Sequence, residues 1–232
     1  MSHATTKMAT VFLADPLTKV HLYCWKKKLY NLINLINNYE ETNMYSTKTT
    51  LEGVFIIQPK RFEDARGWFS ETWNQNHLNA VFDNIRFVQD NHSLSIPKGT
   101  VRGLHYQSPP SAQDKLVRVL SGSITDIAVD IRNGSPTYGK SLSVKLSKDN
   151  GKQLLVPKGF LHGFITLEKN TEVLYKCSDY YSPDHEAGVK FDDVDLSINW
   201  GMDTSEITLS EKDQDLPLFK DLISPFTYEK IL

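Results

Sequence analysis

From Leu51 onward the sequence predicts an all-β domain, an antiparallel sandwich or small barrel with only a few short helices. Two observations carry this expectation. Short runs rich in β-branched and aromatic residues recur along the chain, separated by turn residues and without helical periodicity between them. The segment Ile124 to Ile131 alternates, with Ile127, Val129 and Ile131 on one face and Asp126, Ala128 and Asp130 on the other. Strands of this length and spacing close into a sandwich or barrel rather than a helix-covered parallel sheet.

Residues 1–49 read as an N-terminal extension. Leu29, Leu32, Ile33, Leu35 and Ile36 recur at helical spacing behind Lys26, Lys27 and Lys28, which predicts a short amphipathic helix. Asn37 to Thr50 is polar, as a linker is. The extension lacks the compact apolar stretch and small-residue cleavage site of a secretory signal. It is expected to be either an extra helix packed on the domain or an over-extended start, with Met44 as the initiator. The β-domain then occupies residues 50–232. Val54 to Ile57 predicts a strand ending at Pro59, Gly67 to Trp73 alternates, and Ile85 to Gln89 follows. Val117 to Leu120 breaks at Ser121-Gly122-Ser123, and Asn133-Gly134-Ser135-Pro136 is a turn. Ser141 to Leu146, Gln153 to Val156, Gly163 to Leu167 and Glu172 to Lys176 continue the series. A short helix is expected between Leu209 and Leu232.

At 232 residues with 40% hydrophobics, the chain can bury one substantial core. Its 26 basic and 28 acidic side chains leave a net charge of -2, without the basic field of a nucleic-acid binder. A local basic patch for a small phosphorylated ligand remains compatible with that balance. Cys24 and Cys177 are the only cysteines, which gives neither a disulfide framework nor a zinc motif and suits a reducing cytoplasm. No apolar run is long enough to span a bilayer, so no membrane partner is expected.

The chemistry concentrates in Arg102-Gly103-Leu104-His105-Tyr106-Gln107. A histidine fixed in a β-scaffold moves protons near neutral pH. Lys115 follows as a cation, and Tyr175, Tyr181 and Asp213 add phenols and a carboxylate. Base, cation, phenol and carboxylate are the groups needed to take a proton from carbon beside a carbonyl. Pro157-x-Gly159-x-x-His162 looks like the second motif of the cupin superfamily, whose metal-binding members need three imidazoles and a carboxylate. Here Gln107 stands where the second imidazole would be, and no Glu follows at the required distance. An organic ligand without metal is therefore expected.

The chain from about Leu51 to Pro217 resembles the dTDP-4-dehydrorhamnose 3,5-epimerase family. The resemblance rests on Asp64-Ala65-Arg66-Gly67-Trp68-Phe69-Ser70-Glu71, Phe87-Val88-Gln89-Asp90-Asn91-His92-Ser93 and Val101 to Gln107. It continues through Lys115-Leu116-Val117-Arg118, Asp126 to Arg132, Val156 to Phe164, Leu174-Tyr175-Lys176, Tyr180-Tyr181-Ser182-Pro183 and Leu209-Ser210-Glu211-Lys212-Asp213. It implies a cupin-type jelly roll, a homodimer, and neither metal nor other cofactor. It assigns His105 as base, Asp213 as the carboxylate paired with it, Lys115 as the cation beside the sugar's C4 oxygen, and Tyr175 as the acid. Arg66 and Arg102 correspond to diphosphate-binding arginines. Phe69, Glu71, Gln89 and Asn91 correspond to nucleotide-contacting positions, and His162 and Tyr181 to the sugar site. The implied substrate is dTDP-4-dehydro-6-deoxy-D-glucose, epimerised at C3 and C5. An epimerase of one centre, and a non-catalytic nucleotide-sugar-binding cupin, stay open as alternatives. Arg118 and Arg132 read as structural, and His92 is left unassigned.

Overall fold

The structure is a computed structural model that describes residues 43–79, 82 and 85–229. The helix expected over Leu29 to Ile36 lies outside the described residues. Six strands, in the spatial order β1 (Met44–Lys48), β2 (Phe55–Pro59), β10 (Gln153–Val156), β7 (Lys115–Ser121), β12 (Thr171–Cys177) and β5 (Gln89–Ser95), make one sheet. Five more, β13 (Glu186–Gly188), β6 (Val101–Gln107), β11 (Phe160–Thr166), β8 (Ser123–Asp130) and β9 (Ser141–Ser147), make a second. Strands β3 (Phe62–Asp64) and β4 (Gly67–Phe69) form a separate hairpin. All pairings within these sheets are antiparallel, and the crossed strand order is that of a cupin-type jelly roll. The helices are short: α1 (Gln75–Asn79) and α2 (Glu211–Gln214).

Three apolar layers follow from the alternation of the strands. Val117, Val119, Ile124, Ala128, Leu154, Phe160, Phe164 and Val173 fill the space between the two sheets. The outer face of the five-stranded sheet, including Ile127, Val129 and Leu161, is covered by the C-terminal segment through Val189, Phe191, Trp200 and Phe226. Trp200 also donates its indole N–H to the Phe191 carbonyl at 2.8 Å, which satisfies its polar atom in a buried place. Ile57, Leu116 and Leu155 form a third cluster on the outer face of the six-stranded sheet. Each fully buried aliphatic side chain contributes roughly 1.5–3 kcal/mol.

Three sequence expectations shift. Met44–Lys48, read as the tail of a linker, is an edge strand paired with β2 from Met44 opposite Pro59 to Lys48 opposite Phe55. Four of its five residues are exposed, so it has no apolar periodicity to betray it. The strand expected over Ile85 to Gln89 instead begins at Gln89 and runs to Ser95. Gln89, Asn91 and Ser93 alternate with more exposed neighbours, and this polar strand escapes a search for hydrophobic alternation. The alternation from Gly67 to Trp73 is strand only as far as Phe69.

One irregularity positions the site. Between β6 and β11, His105 pairs with His162 but Arg102 pairs with Phe164, so Gly103 and Leu104 oppose the single Gly163. The additional residue is a β-bulge, and it resets the in–out parity of β6. Val101, Leu104 and Tyr106 pack outward, while Arg102 and His105 both face the interior. Gly103 has φ 118, and a Cβ there would meet Gly163 Cα at 2.6 Å and the His162 carbonyl oxygen at 2.7 Å. Only glycine fits. Gly103→Ala is therefore expected to destabilise the domain by about 2 kcal/mol or more. Urea unfolding should show a lower midpoint with an unchanged slope, and an unchanged midpoint would remove the steric role of this glycine.

Candidate active site

The interior of the jelly roll opens into two adjoining cavities of about 420 and 500 Å³. His105, Lys115, Tyr175 and Glu186 line both, so these four form the shared wall. They come from opposed sheets. His105 and Glu186 stand on β6 and β13, while Lys115 and Tyr175 stand on β7 and β12.

His105 Nε2 lies 2.7 Å from Asp213 Oδ1. Ser210 caps α2 by accepting from the Asp213 backbone N–H, and this single turn of helix presents the carboxylate to the barrel. The Gly103 N–H reaches Asp213 Oδ2 at 3.4 Å. Burial raises the Asp213 pKa, but the hydrogen bond and charge of His105, with the Gly103 and Ser210 contacts, outweigh it and hold the carboxyl below its ordinary value. An ionised Asp213 fixes the proton on Nε2 and leaves Nδ1 with the lone pair. A second pair lies beside the first: His162, cross-strand partner of His105, has Nε2 2.7 Å from Oδ1 of the fully buried Asp126.

On the facing sheet, Lys115 is recessed, and desolvation pushes its pKa below the ordinary lysine value against the pull of Cys177, Glu186 and Asp126. Burial raises the pKa of the Tyr175 phenol and keeps it protonated at neutral pH, with Arg102 and a hydrogen bond from Asn91 opposing. The registers place Gln89, Cys177 and Lys115 in one row across three strands, and Asn91, Tyr175 and Val117 two rows along on the same face. Asn91 Nδ2 donates to Cys177 Sγ at 3.6 Å, and the Tyr181 N–H donates to Gln89 Oε1 at 3.0 Å.

Of the residues expected from sequence, His105, Asp213, Lys115, Tyr175, Arg102, His162, Gln89, Asn91 and Tyr181 all line these cavities. Arg66, Phe69 and Glu71 do not. Arg66 and Phe69 sit on or beside the β3–β4 hairpin, where Arg66 pairs with Asp64 at 2.6 Å and Phe69 is 70% exposed. Glu71 lies just beyond, 3.1 Å from His77. Glu186 and Asp126 have no site role in the sequence reading. Glu186 accepts from the Tyr181 hydroxyl at 2.6 Å and pairs with Lys212 at 2.5 Å, joining β13 to the helix that carries Asp213. Asp126 is fully buried on β8 beneath His162. Among the described residues, no group of three or more His, Cys, Asp or Glu side chains is arranged to hold a metal ion, and no helix is long and apolar enough to cross a membrane.

Fold and site together define a cupin-type jelly roll built around an imidazole–carboxylate pair. The family model for dTDP-4-dehydrorhamnose 3,5-epimerase matches residues 48–221. A protein of that name from Sinorhizobium fredii is 46% identical over 192 residues, covering 83% of this chain and 98% of the relative. The solved structure of the Elizabethkingia anophelis dTDP-4-dehydrorhamnose 3,5-epimerase superposes with TM-score 0.75 at 45% identity, covering 78% of this chain and 98% of that one. That of a Legionella pneumophila dTDP-6-deoxy-D-glucose-3,5-epimerase in complex with dTDP-4-keto-L-rhamnose gives 0.76 at 40% identity, covering 81% and 100%. The chain belongs to the dTDP-4-dehydrorhamnose 3,5-epimerase family, and is an isomerase of the epimerase class.

The depressed Asp213 pKa sets a pH signature for stability. Its folded value lies below the unfolded one, so its contribution is fully present above about pH 4 and is lost as pH falls through the folded value. Asp213→Asn should cost about 1–3 kcal/mol at pH 7. The gap from wild type should close in acid, and urea unfolding at pH 7 and pH 3 checks it. A gap independent of pH would separate the loss from ionisation.

Proposed function

We propose that the protein converts dTDP-4-dehydro-6-deoxy-D-glucose to dTDP-4-dehydro-L-rhamnose by inverting C3 and C5. The observation that carries this reading is the His105–Asp213 pair at 2.7 Å facing Lys115 and Tyr175 across one cavity. The C4 ketone acidifies the protons on C3 and C5. His105, oriented by Asp213, takes one of them. Lys115 stabilises the charge that gathers on the C4 oxygen, where a fixed cation in a desolvated place acts most strongly. Tyr175, on the opposite sheet, returns a proton to the other face, and the centre inverts. Once solvent has taken the proton from His105 and returned one to Tyr175, the same steps at the second carbon complete the product.

Arg102 takes the diphosphate in this reading, while Gln89, Asn91, His162 and Tyr181 hold nucleotide and sugar. Arg66, Phe69 and Glu71 stand outside the cavity, and the exposed aromatic hairpin beside them supports a homodimer in which they serve the partner's site. The product-like ligand named for the Legionella pneumophila structure supports the substrate class.

Proton NMR in deuterated water tests the reading directly. Deuterium should enter at both C3 and C5 of the substrate. Exchange at one carbon would make the enzyme a single-centre epimerase, and none at either would leave a binder. His105→Ala should keep nucleotide-sugar affinity and lose about 10²–10⁴-fold in kcat, whereas equal loss of both would move His105 to the binding shell. Lys115 acts as a cation and its pKa is lowered, so the alkaline limb of kcat should fall below the ordinary lysine value near 10.5. An alkaline limb unmoved by Lys115→Arg would remove that role.

A further inference from the structure

The two arginines read from sequence as structural fare differently. Arg132 donates Nε and Nη2 to the two Asp130 oxygens at 2.9 and 2.7 Å, and its guanidinium lies over the Phe160 ring at 4.5 Å. Arg118 stands half-buried on the outer face of β7, beside Leu116 and Leu120 along the strand. Its side chain makes no hydrogen bond, ion pair or ring contact with any described residue. Burial pushes its pKa below the ordinary arginine value, yet an arginine stays cationic at neutral pH. A half-desolvated guanidinium without a counter-charge is unfavourable unless an anion joins it.

The surroundings fit such an anion. A cleft of about 90 Å³ opens around Arg118, between Trp68, Ser70 and Thr72 on one side and the 148–153 turn with β7 and β10 on the other. Arg61, Lys148 and Lys152 also line it, and among the described residues no Asp or Glu does. Arg61 is held in place, with its guanidinium over the Trp68 ring at 4.4 Å and Nη1 donating to the Asp149 carbonyl at 2.6 Å. The cleft shares no lining residue with the His105 cavities. Its volume admits one phosphate-sized group, while whole small-molecule ligands occupy roughly 300–1,000 Å³.

We propose that this cleft is a second anion site, separate from the substrate cavity, that takes a phosphate-class oxyanion on Arg118. The planar guanidinium suits two oxygens of a tetrahedral anion at once. The bound anion would tie the segment following β4 to the six-stranded sheet, and so steady the β3–β4 hairpin.

Titration of the full chain with inorganic phosphate at constant ionic strength, read by calorimetry and by hydrogen exchange, tests this. Apart from any occupancy of the Arg102 cavity, wild type should show a saturable site, weakened about tenfold or more in Arg118→Met and also weakened in Lys152→Glu, an exposed substitution that spares the core. Arg102→Met should retain it. Phosphate should slow amide exchange over residues 62–72 in wild type and not in Arg118→Met. In Arg102→Met, competition by dTDP would assign the anion to a nucleotide's phosphate, and indifference to dTDP would assign it to free phosphate. Equal phosphate affinity in wild type, Arg118→Met and Lys152→Glu, loss of the site in Arg102→Met, or no saturable binding would each overturn the proposal.

Discussion

Two residues of β6, Gly103 and Leu104, face the single Gly163 of β11, and the His105 wall of the cavity depends on that mismatch. In a regular strand, positions 101, 103 and 105 share a face, which would send His105 outward with Val101. The bulge lets one strand supply both an inward arginine and an inward histidine while Leu104 and Tyr106 still seal the outer layer. Two glycines make the close approach possible, because any Cβ at 103 would collide with backbone rather than with a side chain that could turn aside. Everything else on this wall is then placed by ordinary pairing. His162 falls opposite His105, and Gly188 of β13 pairs with His105 from the other side, bringing Glu186 to the cavity rim.

The electrostatics divide along the same line. The five-stranded sheet carries two imidazoles, each with a nearly or fully buried carboxylate, and the six-stranded sheet carries the recessed ammonium and phenol. Because these groups sit on strands of the jelly roll, with Asp213 on the capped turn of α2, none must move far to meet its partner, and the charge pattern exists before any ligand arrives. Burial works in opposite senses on the ammonium and on the phenol of the six-stranded sheet. It lowers the lysine pKa and raises the phenol, while a dedicated hydrogen-bond partner overrides it at Asp213.

Much of this was legible in the sequence. The strands β7 to β12 fall close to where alternation and turn residues put them, since at least one face of each is packed in apolar layers and their composition records it. The strands that escaped are polar for physical reasons. β1 is an exposed edge, and β5 turns Gln89, Asn91 and Ser93 inward, where the neighbours are ligand-sized cavities rather than side chains. The resemblance singles out His105, Lys115, Tyr175 and Asp213, which line the cavities, but no sequence spacing announces that Glu186 bridges Tyr181 and Lys212, because that contact joins a strand to a helix that follows it in the chain. The hairpin residues Arg66 and Phe69 show the converse. Their motif reads clearly, yet within one copy of the chain nothing brings them to the cavity.

The separation of 108 residues between His105 and Asp213 has a consequence for the chain as it is made. All the strands described here precede residue 189, so a nascent polypeptide can close its barrel while α2 is still inside the ribosome. At that stage the imidazole is present without its carboxylate, and the Glu186 rim without Lys212. The strands and the His105–Asp213 pair are therefore completed at different moments of synthesis. A chain stalled between those moments would hold His105 without its Asp213 partner and would lack the Trp200 and Phe226 cover of the five-stranded sheet.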